Sequence, residues 1–218
     1  MNQAKHIVVD ICWTLFYSNT TFDFLDFTIE DKRYRCLRRF FRTRLGHLMN
    51  LALYRVTHWD CERTLCIRFL KGYSRARLKA SAERFYTQYL CPRKIEPVWE
   101  QVAQARKEGK TLILVSGTLD CVADVVAEQL GAQLSFASTL EYKHECATGR
   151  FSDFLLTKEE VLHRLGDFDI ITDNLTDLAL IRRAQSVTII CYNNRTRWDK
   201  HLPASVHPLY IDASESRY

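Results

Sequence analysis

Three widely separated segments carry side chains whose types suit the transfer of a phosphoryl group. Asp10 directly follows an apolar run, and its carboxylate could act as a nucleophile that forms an acyl phosphate. Ser116 ends a second apolar run, and its hydroxyl, with the backbone N–H of Gly117 at the start of a helix, could hold an anionic oxygen. Lys158 opens a helical stretch, and its ammonium could neutralise Asp10 and the transferred group. These residues predict a site for phosphate chemistry.

Two further carboxylates predict a metal site. Asp173 follows another apolar run, and Asp177 lies at the start of the next helical stretch. Carboxylate oxygens are hard ligands that, together with Asp10 and retained waters, suit Mg²⁺. Each segment is common when taken alone, since an Asp at a helix start most often caps the helix. The order of the segments along the chain is what favours one shared site.

The segments that carry these residues alternate between strands and helices. Apolar runs predict strands at 6–9, 112–115, 134–137, 168–172 and 187–191. Helical periodicity covers 97–107, 119–130, 158–165 and 177–184. The alternation predicts an α/β fold, a doubly wound parallel sheet with helices on both faces. Such sheets place their chemistry at the carboxyl ends of the strands, where the candidate residues lie.

A long helical stretch interrupts this alternation directly after the first strand. Its predicted helices cover 21–28, 34–57, 61–70 and 75–89. We therefore expect two parts: a core domain of residues 1–16 and 93–218, and a helical cap domain of residues 17–92 over the active-site end of the sheet.

The order of the motifs resembles that of the haloacid dehalogenase (HAD) superfamily. Along the chain come a strand and an Asp, a cap-sized helical insert, a strand and a Ser-Gly pair, a Lys, and a strand with Asp-x-x-x-Asp. The resemblance covers nearly the whole chain. The insert and the stretch from Thr148 to Lys158 are most similar to the phosphoserine-phosphatase-like subfamily (subfamily IB). Residues 10–16 followed by 20–25 resemble a branch of it that includes phospholipid-precursor phosphatases.

This resemblance implies a HAD-like, Rossmann-like core with an inserted helical cap. It also implies a phosphatase that acts on a small phosphate monoester, lipid phosphates included, through an aspartyl-phosphate on Asp10. Mg²⁺ would be bound by Asp10, the backbone carbonyl of Cys12 and Asp173, with Asp177 as a supporting carboxylate near the metal. Lys158 and Ser116 would bind the phosphate.

Cys12 departs from the family, whose phosphatases have a second Asp there. That carboxylate protonates the leaving oxygen and then activates the hydrolytic water, and such acid–base help contributes about 10²–10⁴-fold. A thiol, with a reference pKa of ~8.5, is mostly neutral at pH 7 and is a poor hydrogen-bond donor. We therefore expect slow hydrolysis, with Cys12 either taking a reduced part in the chemistry or only filling space.

Trp13 also departs from the family, which often has Gly at this position. A large indole beside the nucleophile could narrow the mouth of the pocket or stack on an organic group of the substrate. Packing against the cap is the simpler alternative, and the sequence leaves both open.

Three alternatives to a phosphatase remain open because of Cys12. Slow loss of the aspartyl-phosphate would allow a phosphotransferase, and it would also suit an attenuated relative that only binds phosphate and metal. Members of the superfamily with an aromatic residue in place of the second Asp are dehalogenases, whose Asp attacks carbon without a metal. Asp173 and Asp177 favour phosphoryl chemistry over that third alternative.

The predicted cap is strongly basic. The chain carries a formal net charge of +5, with 47% hydrophobic and 26% charged residues, as is typical of globular proteins. Within a single helix over 34–57, positions 37, 41, 45, 48 and 52 share an apolar face among many arginines. The helix could be an ordinary solvated cap helix or could touch an anionic membrane surface. Nucleic acid is not expected, because no binding module is recognisable.

The cysteines indicate a reducing compartment. The sequence has eight of them, with no C-x-x-C pair and no zinc-type spacing with His. No secretory signal and no membrane-spanning run is visible. We therefore expect a cytoplasmic protein with reduced thiols.

Overall fold

The centre of the fold is β1 (His6–Val9), whose apolar side chains are buried on both sides. The computed structural model describes residues 5–57, 59–158, 160, 165–174, 177–192 and 206–211. The other strands of that part of the chain are β2 (Thr111–Leu119), β3 (Leu134–Lys143), β4 (Cys146–Ser152), β5 (Phe168–Thr172), β6 (Val187–Tyr192) and β7 (Val206–Ile211). They form one sheet in the order β4-β3-β2-β1-β5-β6-β7.

Helices cover both faces of this sheet. In the described residues they are α1 (Thr20–Thr28), α2 (Lys32–Phe41), α3 (Arg44–Thr57), α4 (Cys61–Ile67), α5 (Arg75–Phe85), α6 (Glu96–Lys107), α7 (Asp120–Leu130) and α8 (Leu178–Ile181). Side chains alternate along β1, so that Ile7 and Val9 join one apolar cluster and Val8 joins the other. The first cluster includes Phe24 of α1, and the second includes Leu180 of α8. The predicted α/β, HAD-like doubly wound architecture is confirmed.

Strand register brings the candidate site residues to one edge of the sheet. Val9 lies opposite Leu114 of β2 and opposite Ile171 of β5, and both pairings are parallel. Asp10 is therefore one residue beyond this line, whereas Ser116 and Asp173 are two residues beyond it. The chain runs from β1 outward to β3 and later returns to β5 on the other side of β1, so the site lies at the point where the strand order reverses.

The predicted turn at Gly117 is not there. β2 continues through Ser116 and Gly117 to Leu119, and α7 begins only at Asp120, so the expectation that Gly117 opens a helix is wrong. The pairing of β2 with β3 shifts register between Val115 and Leu119. Extended backbone buries Leu119 completely, and this burial overrides the turn preference of a Ser-Gly pair.

One edge of the sheet is antiparallel, which the sequence did not predict. β3 extends to Lys143, beyond the predicted end at 137, and pairs with β4 in an antiparallel hairpin. The turn between them is made by His144 and Glu145, whose φ angles of 49° and 61° match a two-residue type I′ turn. Neither residue is a Gly or an Asn, which are the residues normally found in this turn.

The predicted single helix over 34–57 is two helices. The break falls at Arg42-Thr43, where the hydroxyl of Thr43 donates to the carbonyl of Phe40 and accepts from the N–H of Gly46. The face predicted to be continuous is therefore divided: Phe41 is buried, whereas Leu45 and Leu48 on α3 are exposed.

Of the last two predicted helices, only one lies entirely within the described residues. The predicted helix over 158–165 lies largely outside the described residues, and that over 177–184 is described as α8. Helices α1 to α5 lie between β1 and β2 along the chain, where the cap domain of residues 17–92 was predicted. The boundaries of the core and cap stay a prediction.

Candidate functional site

Asp10 continues the line of β1 into the site. Its backbone N–H donates to the carbonyl of Ile171 at 3.0 Å, which extends the ladder towards β5 by one residue. One carboxylate oxygen, Oδ1, accepts a hydrogen bond of 2.6 Å from the N–H of Ile11. The other oxygen, Oδ2, lies 3.8 Å from the Nζ atom of Lys158. The buried carboxylate is thus fixed by the backbone on one side and faces a cation on the other.

Lys158 is buried and held by Asp177. Its Nζ atom lies 2.9 Å from both carboxylate oxygens of Asp177. The hydroxyl of Thr172 donates to Oδ2 of the same carboxylate at 2.7 Å. Burial disfavours the charged ammonium, but the charges of Asp10 and Asp177 outweigh it and raise the pKa of Lys158 above its ordinary value. Lys158 is therefore a permanent cation beside Asp10.

Asp173 is positioned by Thr14, which is fully buried. The hydroxyl of Thr14 donates to Oδ1 of Asp173 at 3.2 Å and accepts from the Asp173 N–H at 3.1 Å. Burial, followed by the negative charge of Asp10, raises the pKa of Asp173 to about 7. The pKa of Asp10 is raised as well, mainly by burial, although Lys158 lowers it. The buried carboxylate of Asp10 and the half-buried carboxylate of Asp173 oppose each other's ionisation, and such a pair attracts a cation.

The donor set fits Mg²⁺ through two carboxylates. In the described part of the chain, no group of three or more His, Cys, Asp or Glu side chains is arranged to hold a metal. Mg²⁺ does not require such a cage, because it is usually bound by one or two carboxylates and keeps several waters. Asp10 and Asp173 would supply the carboxylates, and the backbone carbonyl of Cys12 is the third candidate ligand. Asp177 is engaged with Lys158 and Thr172, so its place in the site is that of an anchor for Lys158.

Cys12 lies inside the site as a neutral thiol. Its Sγ atom lies 2.7 Å from the hydroxyl oxygen of Thr20, and the hydroxyl of Ser116 donates to it at 3.7 Å. Burial and the negative charge of Asp10 raise the pKa of the thiol to about 11. At neutral pH it is therefore protonated and unable to serve as a general base.

Ser116 and Gly117 lie in the part of β2 that faces the site. Ser116 is fully buried, and its hydroxyl oxygen accepts from the N–H of Thr118 at 3.4 Å. At Gly117, an added Cβ would be 3.0 Å from the side chain of Leu155, so the position has little room for a larger residue. The hydroxyl of Ser116 is thus close to Cys12 and within the same cluster as Asp10.

Trp13 packs against Tyr192 of the sheet. Its ring meets the ring of Tyr192 in β6 edge-to-face, with 5.8 Å between centroids, and the Tyr192 hydroxyl donates to the Trp13 carbonyl. Trp13 has a φ of 52°, in the left-handed region that favours Gly. The indole is 36% exposed, which leaves one side of the ring open at the mouth of the site.

Several residues of the site had no signal in the sequence. Thr14 and Thr172 orient carboxylates, but threonines in apolar runs are common in strands. Arg63 of α4 is buried and contacts Oδ2 of Asp153 at 2.7 Å, the hydroxyl of Ser138 at 2.8 Å and the carbonyl of Gly117. An arginine among many others in a basic segment gives no indication that it reaches the sheet.

Comparisons with known proteins identify relatives of this fold. The model of the haloacid dehalogenase-like hydrolase family matches residues 7–182. A search of curated proteins by sequence gave no match. Among solved structures, a phosphoserine phosphatase with an analogue of its phospho-aspartyl intermediate aligns with a TM-score of 0.61 at 17% identity, over 87% of this chain and 88% of that one.

Two other solved structures align over most of their length. A phosphoserine phosphatase from T. onnurineus in complex with NDSB-201 has a TM-score of 0.59 and 18% identity, over 97% of this chain and 92% of that one. A protein of unknown function from Bordetella pertussis Tohama I has a TM-score of 0.63 and 16% identity, over 87% and 91%. At these identities the likeness is one of fold.

Proposed function

The chain belongs to the haloacid dehalogenase-like hydrolases, a family of hydrolytic enzymes, and we propose that it is a phosphatase that forms an aspartyl-phosphate on Asp10. One observation carries the proposal: the buried Oδ2 atom of Asp10 lies 3.8 Å from the ammonium of Lys158, which Asp177 holds in place. A fixed carboxylate beside a permanent cation suits attack on an anionic phosphoryl group, because the cation offsets the repulsion between the two anions.

In the first step, Oδ2 of Asp10 bonds to phosphorus while the bond from phosphorus to the substrate oxygen breaks. Lys158 neutralises charge on the phosphoryl oxygens, and the Ser116 hydroxyl can turn from Cys12 to donate to one of them. Mg²⁺, held by Asp10, the Cys12 carbonyl and Asp173, would supply further charge neutralisation at the same group. The leaving oxygen takes its proton from water, and the Cys12 thiol keeps its own proton, because burial and the charge of Asp10 raise its pKa to about 11.

In the second step, water attacks phosphorus and regenerates the Asp10 carboxylate with release of phosphate. Cys12 cannot accept the proton of that water, because the pKa of its thiol is raised to about 11 and the thiol is already protonated at neutral pH. We therefore propose that loss of the aspartyl-phosphate limits turnover, by about 10²–10⁴-fold relative to a site with a carboxylate there. The same observation favours a second candidate function, transfer of the phosphoryl group to an acceptor other than water.

We propose that the substrate is a small phosphate monoester, and a lipid phosphate is the more specific candidate within this class. Asp173, held by Thr14 and facing the charge of Asp10, argues against metal-independent dehalogenation, which has no use for that carboxylate. A cytoplasmic location is proposed from the eight cysteines, all of which are reduced and outside any disulfide.

The test is hydrolysis of p-nitrophenyl phosphate by the purified chain, with Mg²⁺ or with EDTA. We expect Mg²⁺-dependent activity that Asp10→Asn abolishes, and an acid-stable phosphoenzyme that forms on wild type alone. The matched control is Asp167→Asn, which removes an exposed carboxylate before β5 and should leave both signals unchanged. Equal rates for wild type and Asp10→Asn would show that Asp10 is not the nucleophile.

A further inference from the structure

The apolar side of α3 faces solvent. Leu45, Leu48, Met49, Ala52 and Val56 are spaced so that they lie along one side of the helix, and this row is called the α3 stripe below. Leu45 is 70% exposed, Leu48 61% and Val56 82%. A helix on the surface of a globular protein normally turns such a stripe inward. On α3, by contrast, the side that carries these three apolar residues faces solvent.

The opposite side of α3, which packs against the protein, carries Gly46, Asn50 and the half-buried Leu53. An added Cβ on Gly46 would be 2.4 Å from the carbonyl of Phe40, so α3 crosses the end of α2 in close contact at this glycine. Further along, Asn50 donates to Asp60 at 3.2 Å and accepts from the N–H of Glu62 at 3.0 Å. These contacts fix the rotation of α3, and they do so with the apolar stripe outward.

The same region concentrates the positive charge of the chain. Residues 32–59 contain seven arginines and one lysine and no acidic residue, a charge of +8. The whole chain carries +5, so the remaining residues together carry −3. Next to α3, a cavity of about 330 Å³ is lined by Asp26, Tyr34, Arg35, Arg38, Arg39 and Arg42. An exposed apolar helix is thus bordered by a cationic surface.

We propose that α2 and α3 form a docking surface for anionic lipid membranes. The α3 stripe would enter the boundary between head groups and acyl chains, while Arg39 and Arg44 contact lipid phosphates. Tyr54 and Trp59 are also exposed, and aromatic rings of this kind favour the head-group level. No helix of the described part of the chain is long and apolar enough to cross a bilayer, so the contact is with one surface.

Charge and shape argue against the other occupants. A second copy of the chain would bring another face of the same sign against this one, which opposes self-association through it. The arginines would attract nucleic acid, but contacts with a phosphate backbone would leave the α3 stripe exposed to water. A membrane with anionic lipids satisfies both the stripe and the charge.

The docking surface connects to the catalytic site through α4. Asn50 of α3 holds the start of α4 through Asp60 and the Glu62 N–H, and α4 carries the Arg63 that contacts Gly117. The inference does not rest on the proposed function, because membrane binding is measured without turnover and should be the same in Asp10→Asn.

The experiment is sedimentation of the whole chain with two kinds of vesicle. One contains phosphatidylcholine alone and is neutral, and the other contains in addition about 30% phosphatidylglycerol, which makes it strongly anionic. We expect pelleting with the anionic vesicles, little with the neutral ones, and weaker binding in higher salt. Leu45→Ser with Leu48→Ser should weaken binding at least about tenfold. Leu134→Ser, at an exposed leucine of β3, is the matched control and should bind as wild type does.

The charge is tested in the same assay. Arg39→Glu with Arg44→Glu should abolish binding to anionic vesicles, whereas Arg84→Glu, on the exposed side of α5, should change it little. Equal binding to neutral and anionic vesicles, no binding to either, or no effect of the leucine changes would overturn the proposal. So would a concentration-dependent dimer in sedimentation velocity that the leucine changes abolish, because it would assign the stripe to a second copy. Circular dichroism checks that each variant is folded.

Discussion

The guanidinium of Arg63, in α4, donates a hydrogen bond to the carbonyl of Gly117 in β2, although 54 residues separate the two along the chain. The same guanidinium contacts Asp153 at 2.7 Å and the hydroxyl of Ser138 at 2.8 Å. One buried cation therefore connects the helical segment to the residue that follows Ser116. The position of the proposed phosphate-binding hydroxyl depends on this connection.

We predict that Arg63→Met destabilises the protein and weakens substrate binding. The change leaves Asp153 without its cation and the Gly117 carbonyl without its donor, so the free energy of unfolding should fall by about 3 kcal/mol. This value is at the lower end of the about 3–5 kcal/mol that the loss of one partner of a buried ion pair costs, because Asp153 is only half-buried. Urea denaturation measures the change.

Arg84→Met is the matched control for this variant, since it removes an exposed arginine from α5. Arg63→Lys keeps a charge but loses the planar fork, and it should raise the KM for p-nitrophenyl phosphate more than it lowers kcat. Equal unfolding midpoints for Arg63→Met and Arg84→Met would show that the connection does not stabilise the fold.

Cys12→Asp should raise turnover. A carboxylate there could accept the proton of the hydrolytic water. The expected gain in kcat for p-nitrophenyl phosphate is at least about tenfold, and complete restoration of such catalysis would give about 10²–10⁴-fold. The steady-state level of phosphoenzyme, measured by acid quench, should fall at the same time. Cys12→Ser, which supplies no base, is the control. An unchanged kcat in a folded Cys12→Asp protein would show that the missing carboxylate is not what limits the enzyme.

Metal-free protein should lose stability as the pH rises from about 4 to 7. The pKa of Asp173 is about 7 in the folded protein against an ordinary value of 3.8, so the folded state binds more protons than the unfolded chain between these values. Mg²⁺ binds the ionised carboxylate, and it should therefore raise Tm at pH 8 but not at pH 5, where folded Asp173 is protonated.

Asp173→Asn should reduce the loss of stability with rising pH, leaving the part that comes from Asp10, and it should remove the increase of Tm by Mg²⁺. Asp167→Asn, at an exposed position, should retain both. A metal effect on Tm that is equal at pH 5 and pH 8, or that survives Asp173→Asn, would place the metal elsewhere. Thermal unfolding followed by circular dichroism, with EDTA as the metal-free reference, provides the measurement.

Trp13→Gly should be more stable than Trp13→Ala by about 1 kcal/mol, since only glycine adopts the left-handed backbone of this position without strain. Both variants lose the ring contact with Tyr192, which is worth about 0.5–1.5 kcal/mol, so the comparison isolates the backbone. Chemical denaturation of the two variants tests it. If alanine is as stable as glycine, residue 13 does not have the φ described above.

The sequence predicted those parts of the fold that depend on local patterns. β1 and β5 begin and end where their apolar runs do, and Asp10 follows β1 as expected. Such strands are buried on both faces, so almost every residue in them must be apolar, and the run is visible without any knowledge of its neighbours.

The errors occurred where distant contacts outweigh local preference. The extended backbone at Gly117 is maintained by burial of Leu119 and by Arg63, neither of which is apparent from a Ser-Gly pair. The hairpin at His144 and Glu145 lacks the usual glycine, and the break before Arg44 is made by a threonine hydroxyl. Buried polar contacts such as that of Thr14 with Asp173 join positions far apart in the chain and have no periodicity to reveal them.

The anchoring of Lys158 by Asp177 has a consequence for the chain as it is made. Asp10 is synthesised early, but its cation comes much later, and the carboxylate that holds this cation follows only after β5. Until β5 has paired with β1, Asp10, the proposed nucleophile, has neither Lys158 nor Asp173 beside it. The proposed site is therefore complete only when the last of its segments has been incorporated into the sheet.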